Sequence, residues 1–216
     1  MESKKGNEYK AFWEGRYAEE VYSYGKAPNE FFKQWIQKFE PGSILLPADG
    51  EGRNGVFAAK LGWDVTSNDF SFSAKEKAIK LASEENVSLD FIAGGVESLS
   101  LAEEKFDVIA LIFAHFLPEK TSTIHQKLLK SLRKGGVIIF EAYSKSHLSY
   151  REKNPEVGGP GNLDMLFSKA DIERDFEGFE IIMFEETETK LNEGKYHQGL
   201  GSVLRFVGRK NSFPEQ

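Results

Sequence analysis

A chain of 216 residues, 40% of them hydrophobic, can bury one sizeable core but is short for a cofactor domain joined to a separate catalytic domain. The formal net charge of -6 argues against a nucleic-acid-binding surface, and the lack of cysteine excludes disulfides, thiol nucleophiles and cysteine-ligated zinc. No stretch has the pattern of a signal peptide or a membrane span, so we expect a single cytoplasmic domain over residues 1–216 that binds neither nucleic acid nor membrane.

The apolar segments alternate between helical spacing and short continuous runs, a pattern typical of helices that alternate with buried parallel strands. We therefore predict an α/β fold with a doubly wound sheet. The predicted strands, in chain order, are 44–48, 64–69, 89–93, 106–113, 137–142, 180–186 and 202–209.

Helix boundaries follow from local capping signals. Asn29 is a candidate cap for a helix over 31–39, and Ser168 with Asp171 has the spacing of a capping box. Ser73 with Glu76 has the same spacing and predicts another helix start. A helix from Ile124 to Leu132 is expected to break at the glycine pair 135–136.

Two segments flank or interrupt this core. Residues 1–40 are predicted to form a helical segment ahead of a core of residues 41–210. Residues 144–167 are polar and rich in glycine and proline, so we predict a loop over one edge of the sheet. Within that loop, Gly158–Gly161 has the composition of a mobile cover.

A glycine loop follows the first predicted strand. Gly50, Gly52 and Gly55 have the G-x-G-x-x-G spacing, and Asp69 stands at the end of the second predicted strand. In a doubly wound sheet both features lie at the carboxyl ends of the strands, where an acid can accept hydrogen bonds from a ribose diol. This arrangement fits NAD and S-adenosylmethionine equally, because both carry an adenosine.

The charge of the loop favours the methyl donor. Asp49 and Glu51 flank Gly50, and they would repel a pyrophosphate at the helix amino end. S-adenosylmethionine has no phosphate, and its ammonium and sulfonium groups are attracted to carboxylates. The Tyr-x-x-x-Lys spacing of short NAD enzymes occurs only at Tyr22 and Lys26, upstream of the predicted sheet.

The stretch GEGRNGVFAAKLGWDVTSNDFS resembles the cofactor loop and second strand of class I methyltransferases, specifically the tellurite-resistance methyltransferase family and its thiol-methylating relatives. WEGRYAEEVYSYGKAPNEFF, LRKGGVIIFEAY, GPGNLDMLFS and EGKYHQGLGSVLRFVGRK extend the resemblance along nearly the whole chain. It implies a seven-stranded Rossmann-like sheet with the last strand antiparallel, a lid role for the helical segment 1–40, and S-adenosylmethionine as cofactor. Leu46, Ala48 and Gly95 depart from the family, which usually has an acid, a glycine and an acid at these positions.

The resemblance also implies a cofactor site. The glycine loop would hold the methionine part, Asp69 with Phe70 the ribose and adenine side, and Val96 and Glu97 are the candidates beside the adenine amino group. The predicted cofactor residues are Asp49, Gly50, Glu51, Gly52, Arg53, Asn54, Asp69, Phe70, Val96, Glu97 and Phe113.

Methyl transfer mainly requires that the acceptor be positioned and water excluded, and a soft anion such as a thiolate, tellurite or selenite needs little general-base help. Arg16, His115 and His197 are the catalytic candidates, and Tyr24, Asn29 and Tyr196 the acceptor contacts. Arg16 has an alternative role as a surface ion-pair partner of Glu14 or Glu19.

The other two histidines, His125 and His147, are expected on the surface, and no side-chain spacing indicates a metal site. The leading hypothesis is a small-molecule methyltransferase. Its alternatives are a catalytically silent S-adenosylmethionine-binding module and an NAD-dependent oxidoreductase.

Overall fold

The computed structural model describes residues 4–211, so the ends of the predicted domain, 1–3 and 212–216, lie outside the described residues. One seven-stranded sheet has the order β3-β2-β1-β4-β5-β7-β6. Its strands are β1 Ser43–Pro47, β2 Asp64–Asp69, β3 Asp90–Ala93, β4 Phe106–Ile112, β5 Leu132–Tyr143, β6 Phe179–Glu193 and β7 His197–Lys210. The helices are α1 Lys4–Tyr17, α2 Glu30–Ile36, α3 Arg53–Lys60, α4 Phe72–Glu84, α5 Pro118–Ser131, α6 Leu148–Lys153 and α7 Lys169–Asp175.

The predicted α/β class and the antiparallel last strand are confirmed. The pairings among β1 to β5 are parallel, whereas β7 runs antiparallel to both β5 and β6. Alternate residues of β1 enter opposite cores: Leu45 packs on the side of α5 and α7, while Ile44 and Leu46 pack on the side of α2 and α3. Because both faces are covered, the strands appear in the sequence as continuous apolar runs.

The amino-terminal segment divides into two parts with different environments. In α2, Asn29 caps the helix by accepting a hydrogen bond from the Phe32 amide, as predicted, and Phe31, Phe32 and Ile36 are buried in the core. Helix α1 instead lies against α4, where the Glu14 carboxylate accepts hydrogen bonds from the Ser73 amide and hydroxyl at 3.1 and 2.7 Å. Only α1 is therefore placed as a lid would be.

Two predicted boundaries, at the start of α4 and at the glycine pair 135–136, were wrong. Helix α4 is capped by Ser71, because the Ser73 hydroxyl is engaged by Glu14. The glycine pair 135–136 does not break α5: β5 already begins at Leu132, and its register with β4 shifts at a bulge that contains both glycines. Gly135 has φ of 74°, a conformation that glycine adopts without strain.

The segment 144–167 is a packed structure, which corrects the predicted loop. It contains α6 and three short 3₁₀ turns, at Lys145–His147, Pro155–Val157 and Leu163–Met165. His147 is fully buried, donates from Nε2 to the Gly158 carbonyl at 3.1 Å and accepts from the Ser202 amide at Nδ1. Its predicted surface position was wrong because β7 supplies a distant partner that the local sequence does not reveal.

His125 is also buried, against the prediction of a surface site. Its ring is surrounded by phenylalanines of the core, and its Nδ1 lies 2.8 Å from Oδ2 of Asp175. Ser122 and Arg174 donate to the other oxygen of Asp175 at 2.8 and 3.1 Å. This carboxylate therefore fastens α5 to the end of α7.

We expect Asp175→Ala to destabilise the protein by on the order of 3 kcal/mol, since His125 and Ser122 would lose their partner in a buried environment. Urea denaturation measures the free energy of unfolding. Asp164→Ala removes an exposed carboxylate from the preceding segment and is the matched control, with an expected change below about 0.5 kcal/mol. Equal effects of the two variants would contradict this role of Asp175.

Candidate cofactor and acceptor site

Two neighbouring cavities open at the carboxyl ends of the parallel strands. The smaller has a volume of about 340 Å³ and the larger about 530 Å³. Tyr9 of α1, Ala48 after β1 and His115 after β4 line both, and the Tyr9 hydroxyl donates to the His115 carbonyl at 2.6 Å. Helix α1 therefore covers the boundary between the cavities.

The loop between β1 and α3 needs backbone conformations that few side chains allow. Gly50 has φ of 56° and Gly52 has φ of 81°, and a Cβ on Gly52 would lie 2.5 Å from the Ala78 side chain. Ala48 has φ of 54°, so the loop keeps a left-handed residue where the resembled family usually has glycine. A left-handed alanine costs roughly 1 kcal/mol, and such strain is concentrated at binding sites.

Carboxylates occupy two amides of this loop. The Gly50 amide donates to Oδ2 of Asp69 at 3.1 Å, and the Gly55 amide donates to Oδ2 of Asp49 at 3.2 Å. A dinucleotide loop uses amides in such positions to bind the pyrophosphate. The geometry therefore disfavours a phosphate because these two amides are already occupied, which is a different reason from the repulsion by Asp49 and Glu51 that the sequence suggested.

Asp49 has one oxygen without a partner. Ser67 donates to its Oδ2 at 2.7 Å, together with the Gly55 amide, whereas its Oδ1 is buried and has no hydrogen bond within the described chain. Burial raises the pKa of Asp49 to about 7, and these hydrogen bonds offset only part of that effect. A cationic group placed beside Oδ1 would return the carboxyl group to its charged form.

Glu51 and Arg53, in contrast, are already neutralised by partners. Glu51 accepts from Lys77 Nζ at 2.7 Å and from the Ser23 amide at 2.7 Å. Arg53 donates from Nη2 to Glu193 at 2.8 Å. Both line the smaller cavity, but their charges are balanced within the protein.

The larger cavity collects several predicted cofactor residues and one that sequence reasoning missed. Asp69, Phe70, Val96 and Glu97 line it, with Asp69 anchored through the Ser71 amide at 3.0 Å and the Gly50 amide. The missed residue is Asn68: its amide nitrogen is bound to two carbonyls of the β3 end, while its Oδ1 is buried without a partner.

The predicted acceptor residues Arg16, Tyr24 and Tyr196 meet at the smaller cavity. Arg16 donates from Nη1 to the Tyr24 hydroxyl at 3.0 Å, and its guanidinium lies 3.9 Å from the centre of the Tyr196 ring. It forms no ion pair with a carboxylate of residues 4–211, because Glu14 binds α4 and Glu19 binds Tyr196 and Lys195.

His115 and His197 both line the smaller cavity, but they differ in whether a ring nitrogen is left without a hydrogen bond. His115 donates from Nδ1 to the Met165 carbonyl at 2.8 Å and accepts from the Tyr143 amide at Nε2, so neither nitrogen is available. Burial lowers its pKa to about 4. The geometry therefore disfavours a proton relay at His115, because both ring nitrogens are already hydrogen-bonded.

The remaining predicted residues fall around the cavity. Gly50, Asn54 and Phe113 line its wall, whereas Gly52 and Asn29 belong to neither cavity. The side-chain amide of Asn29 is consumed by contacts with Glu141 at 2.6 Å, Glu193 at 3.1 Å and its own helix. Asn29 is thus a structural cap rather than an acceptor contact.

Sequence reasoning also missed several cavity residues, because strands and turns far apart in the chain bring them together. Glu193, at the end of β6, lines neither cavity but contacts the cavity residues Arg53 and His197, and only these contacts reveal its role. Tyr9, Tyr143 and Arg151 line the smaller cavity without any motif around them. None of the helices within residues 4–211 has the length and apolar character of a membrane span, and the His, Cys, Asp and Glu residues of this range form no group of three that could hold a metal ion.

Known proteins resemble this chain in part of its sequence and in its fold. Residues 44–136, from β1 to the start of β5, match a family model described as a methyltransferase domain. An uncharacterized methyltransferase of Bacillus subtilis (strain 168), YbaJ, is 26% identical over 108 residues, which are 50% of this chain and 42% of that relative. The match thus spans less than half the length of the curated relative.

Solved structures share the fold at low sequence identity. A structure described under the conversion of a disulfide bond into a thioacetal group during echinomycin biosynthesis has a TM-score of 0.76 at 18% identity, covering 97% of this chain and 93% of its own. TehB from Haemophilus influenzae has a TM-score of 0.70 at 17% identity, covering 85% of this chain and 63% of its own. These solved structures share the fold of this chain, a seven-stranded Rossmann-like sheet covered by helices.

We expect the Asp49→Asn variant to be more thermostable than the wild type at pH 8. A carboxyl pKa raised to about 7 makes the folded state hold a proton that the unfolded state releases, so wild-type stability falls as pH rises from about 4 to 7. Melting temperatures at pH 4.5, 6 and 8 measure the effect, and the variant's advantage should grow over this range. Asp64→Asn, at an exposed position, is the control, and its melting temperature should differ from that of the wild type by the same amount at each pH. A pH-independent difference for Asp49→Asn would contradict the raised pKa of Asp49.

Proposed function

We propose that this protein is a methyltransferase that uses S-adenosylmethionine and acts on a small molecule. The observation that carries the proposal is the bare Oδ1 of Asp49, a buried acceptor at the carboxyl end of β1 beside a loop whose amides are taken by carboxylates. Such a site is suited to a cationic adenosine ligand and unsuited to a pyrophosphate.

The residues present fit the donor along the whole length of the two cavities. Asp69, Asn68 and Phe70 would hold its nucleoside in the larger cavity, with Val96 as a buried wall. Asp49 and Gly50 would hold its amino acid end in the smaller one. When bound, S-adenosylmethionine supplies an activated methyl group on its sulfonium.

The departures from the resembled family do not remove this site. Ala48 adopts the left-handed conformation that a glycine would have, and Asn68 with Val96 lines the wall near Gly95. The resembled family usually has an acid where this chain has Leu46. Asp49, which lines the smaller cavity, would supply the carboxylate instead. These contacts support a protein that still binds the donor, rather than one that has the fold but has lost the donor site.

The charge of the smaller cavity supports an anionic or electron-rich acceptor. Arg16 has no carboxylate partner within the described chain, and Arg151, whose Nε donates to the Gly159 carbonyl, lines the same cavity. Small thiols, tellurite and selenite, which the sequence resemblance suggests, are therefore the first acceptors to test. The protein's own part would be to orient the acceptor and to exclude water under α1 and the segment 144–167.

Calorimetric titration tests donor binding. We expect S-adenosylmethionine to bind with micromolar affinity and NADH to give no binding heat in the same buffer. Loss of the Asp49 charge should weaken donor binding about tenfold, equivalent to about 1.4 kcal/mol, in the Asp49→Asn variant at pH 8. Asp64→Asn, at the start of β2 and far from the loop, should bind as the wild type does.

An unchanged affinity in Asp49→Asn would contradict the role given to Asp49, and binding of NADH in place of the donor would contradict the proposal itself. Donor binding without formation of S-adenosylhomocysteine across the three acceptor classes would instead favour a silent donor-binding module.

A further inference from the structure

The β6–β7 hairpin places the imidazole of His197 in the wall of the smaller cavity, with the carboxylate of Glu193 in contact with it. β5 pairs with β7 only from Val203 to Arg209, whereas β6 and β7 pair with each other as far as Glu193 and His197. The far half of the hairpin is thus a two-stranded arm beyond the main sheet. Its end meets Tyr24, whose ring centre lies 4.4 Å from that of His197.

The carboxylate of Glu193 is held in place and kept ionised. Its Oε2 accepts from Arg53 Nη2 and from His197 Nδ1, both at 2.8 Å, and its Oε1 accepts from Asn29 at 3.1 Å. Burial opposes ionisation, but the Arg53 charge and the His197 hydrogen bond outweigh it and lower the pKa of Glu193 to about 2.

This anchoring fixes which nitrogen of His197 carries the proton. Glu193 can only accept, so Nδ1 of the neutral ring is the protonated nitrogen and Nε2 keeps its lone pair. Nε2 has no hydrogen-bond partner among residues 4–211, and the ring lines the smaller cavity between Tyr24 and Phe113.

The other three histidines lack this combination. His115 and His147 have both nitrogens bonded, and the free Nε2 of His125 is sealed in the core away from either large cavity. A carboxylate that orients an imidazole whose second nitrogen faces a reaction site is the arrangement by which proteins build a general base.

Resting on the proposed function, we propose that His197 is the general base of the reaction, with Glu193 as its positioning residue, and that the acceptor arrives protonated, as a neutral thiol does. The S–H proton passes to Nε2, and the imidazolium is stabilised by Glu193. The electron pair left on the sulfur would form its bond to the methyl carbon as the bond from that carbon to the donor sulfonium breaks, which would leave S-adenosylhomocysteine as a neutral thioether. The proton then leaves to water, which restores the neutral ring. An acceptor that is already an oxyanion has no use for this step.

The charges around the ring favour its neutral form at rest. Burial lowers the pKa of His197, the Glu193 carboxylate opposes this effect, and the positive charges of Arg53 and Arg16 reinforce it. The other titratable groups that face the ring are Tyr24 and Tyr143, which pack on it, and His115 and His147, which interact with it electrostatically. The lone pair of Nε2 is therefore available at neutral pH.

Two thiols of different acidity separate a base from a structural residue. At pH 8 thiophenol is mostly thiolate, whereas 2-mercaptoethanol is mostly protonated. For His197→Gln we expect kcat with 2-mercaptoethanol to fall about 100-fold and kcat with thiophenol to fall less than about fivefold. Added imidazole should restore part of the lost rate with 2-mercaptoethanol. The exposed Lys190→Ala on the same hairpin should stay within about twofold for both thiols.

A second readout needs no turnover. In protein labelled with ¹⁵N at histidine, we expect the neutral His197 ring to carry its proton on Nδ1, and Glu193→Gln, which keeps the ring, to lower its pKa by removing the nearby negative charge. An Nε2-protonated ring, or equal loss of rate with both thiols in His197→Gln, would overturn the assignment.

A wild-type protein that methylates neither thiol would also overturn it. The donor titration would then show separately whether the proposed methyltransferase function survives.

Discussion

The structure depends on the pairing of carboxylates that are buried at the carboxyl ends of the strands. Burying a charge is costly unless it is paired and hydrogen-bonded, so each acid ties together segments that are distant in the chain. Glu51 binds Lys77 of α4, Glu141 of β5 binds Arg205 of β7 and Asn29, and Glu193 binds Arg53 and His197. These pairs join the amino-terminal segment, the glycine loop and the hairpin into one wall.

The site follows from what this pairing leaves over. Within the described chain, Asp49 keeps one bare oxygen, Arg16 has no carboxylate partner and His197 has one free nitrogen, and all three residues line the same cavity. One cavity of about 340 Å³ therefore offers a carboxylate oxygen for a cation, a guanidinium for an electron-rich group and an imidazole nitrogen for a proton. The proposed methyl transfer from a sulfonium to a neutral thiol would use all three.

The sequence predicts the parts of the molecule whose causes are local. Apolar runs identify the strands because both faces of the sheet are covered, and Asn29 and Ser168 cap helices through amides within three residues. Other features arise from partners 11 to 140 residues away along the chain. They are the burial of His125 and His147, the role of Glu193 and the hydrogen bonding of both nitrogens of His115. No periodicity or spacing records such contacts, so these features emerge only from the fold.

We propose that the unpaired Oδ1 of Asp49 receives the amino group of the methyl donor. A crystal structure of the protein with S-adenosylhomocysteine tests it most directly. We predict the amino group of the ligand within hydrogen-bonding distance, about 3 Å, of Asp49 Oδ1. A ligand whose amino group is paired elsewhere, with Asp49 Oδ1 still bare, would contradict the claim.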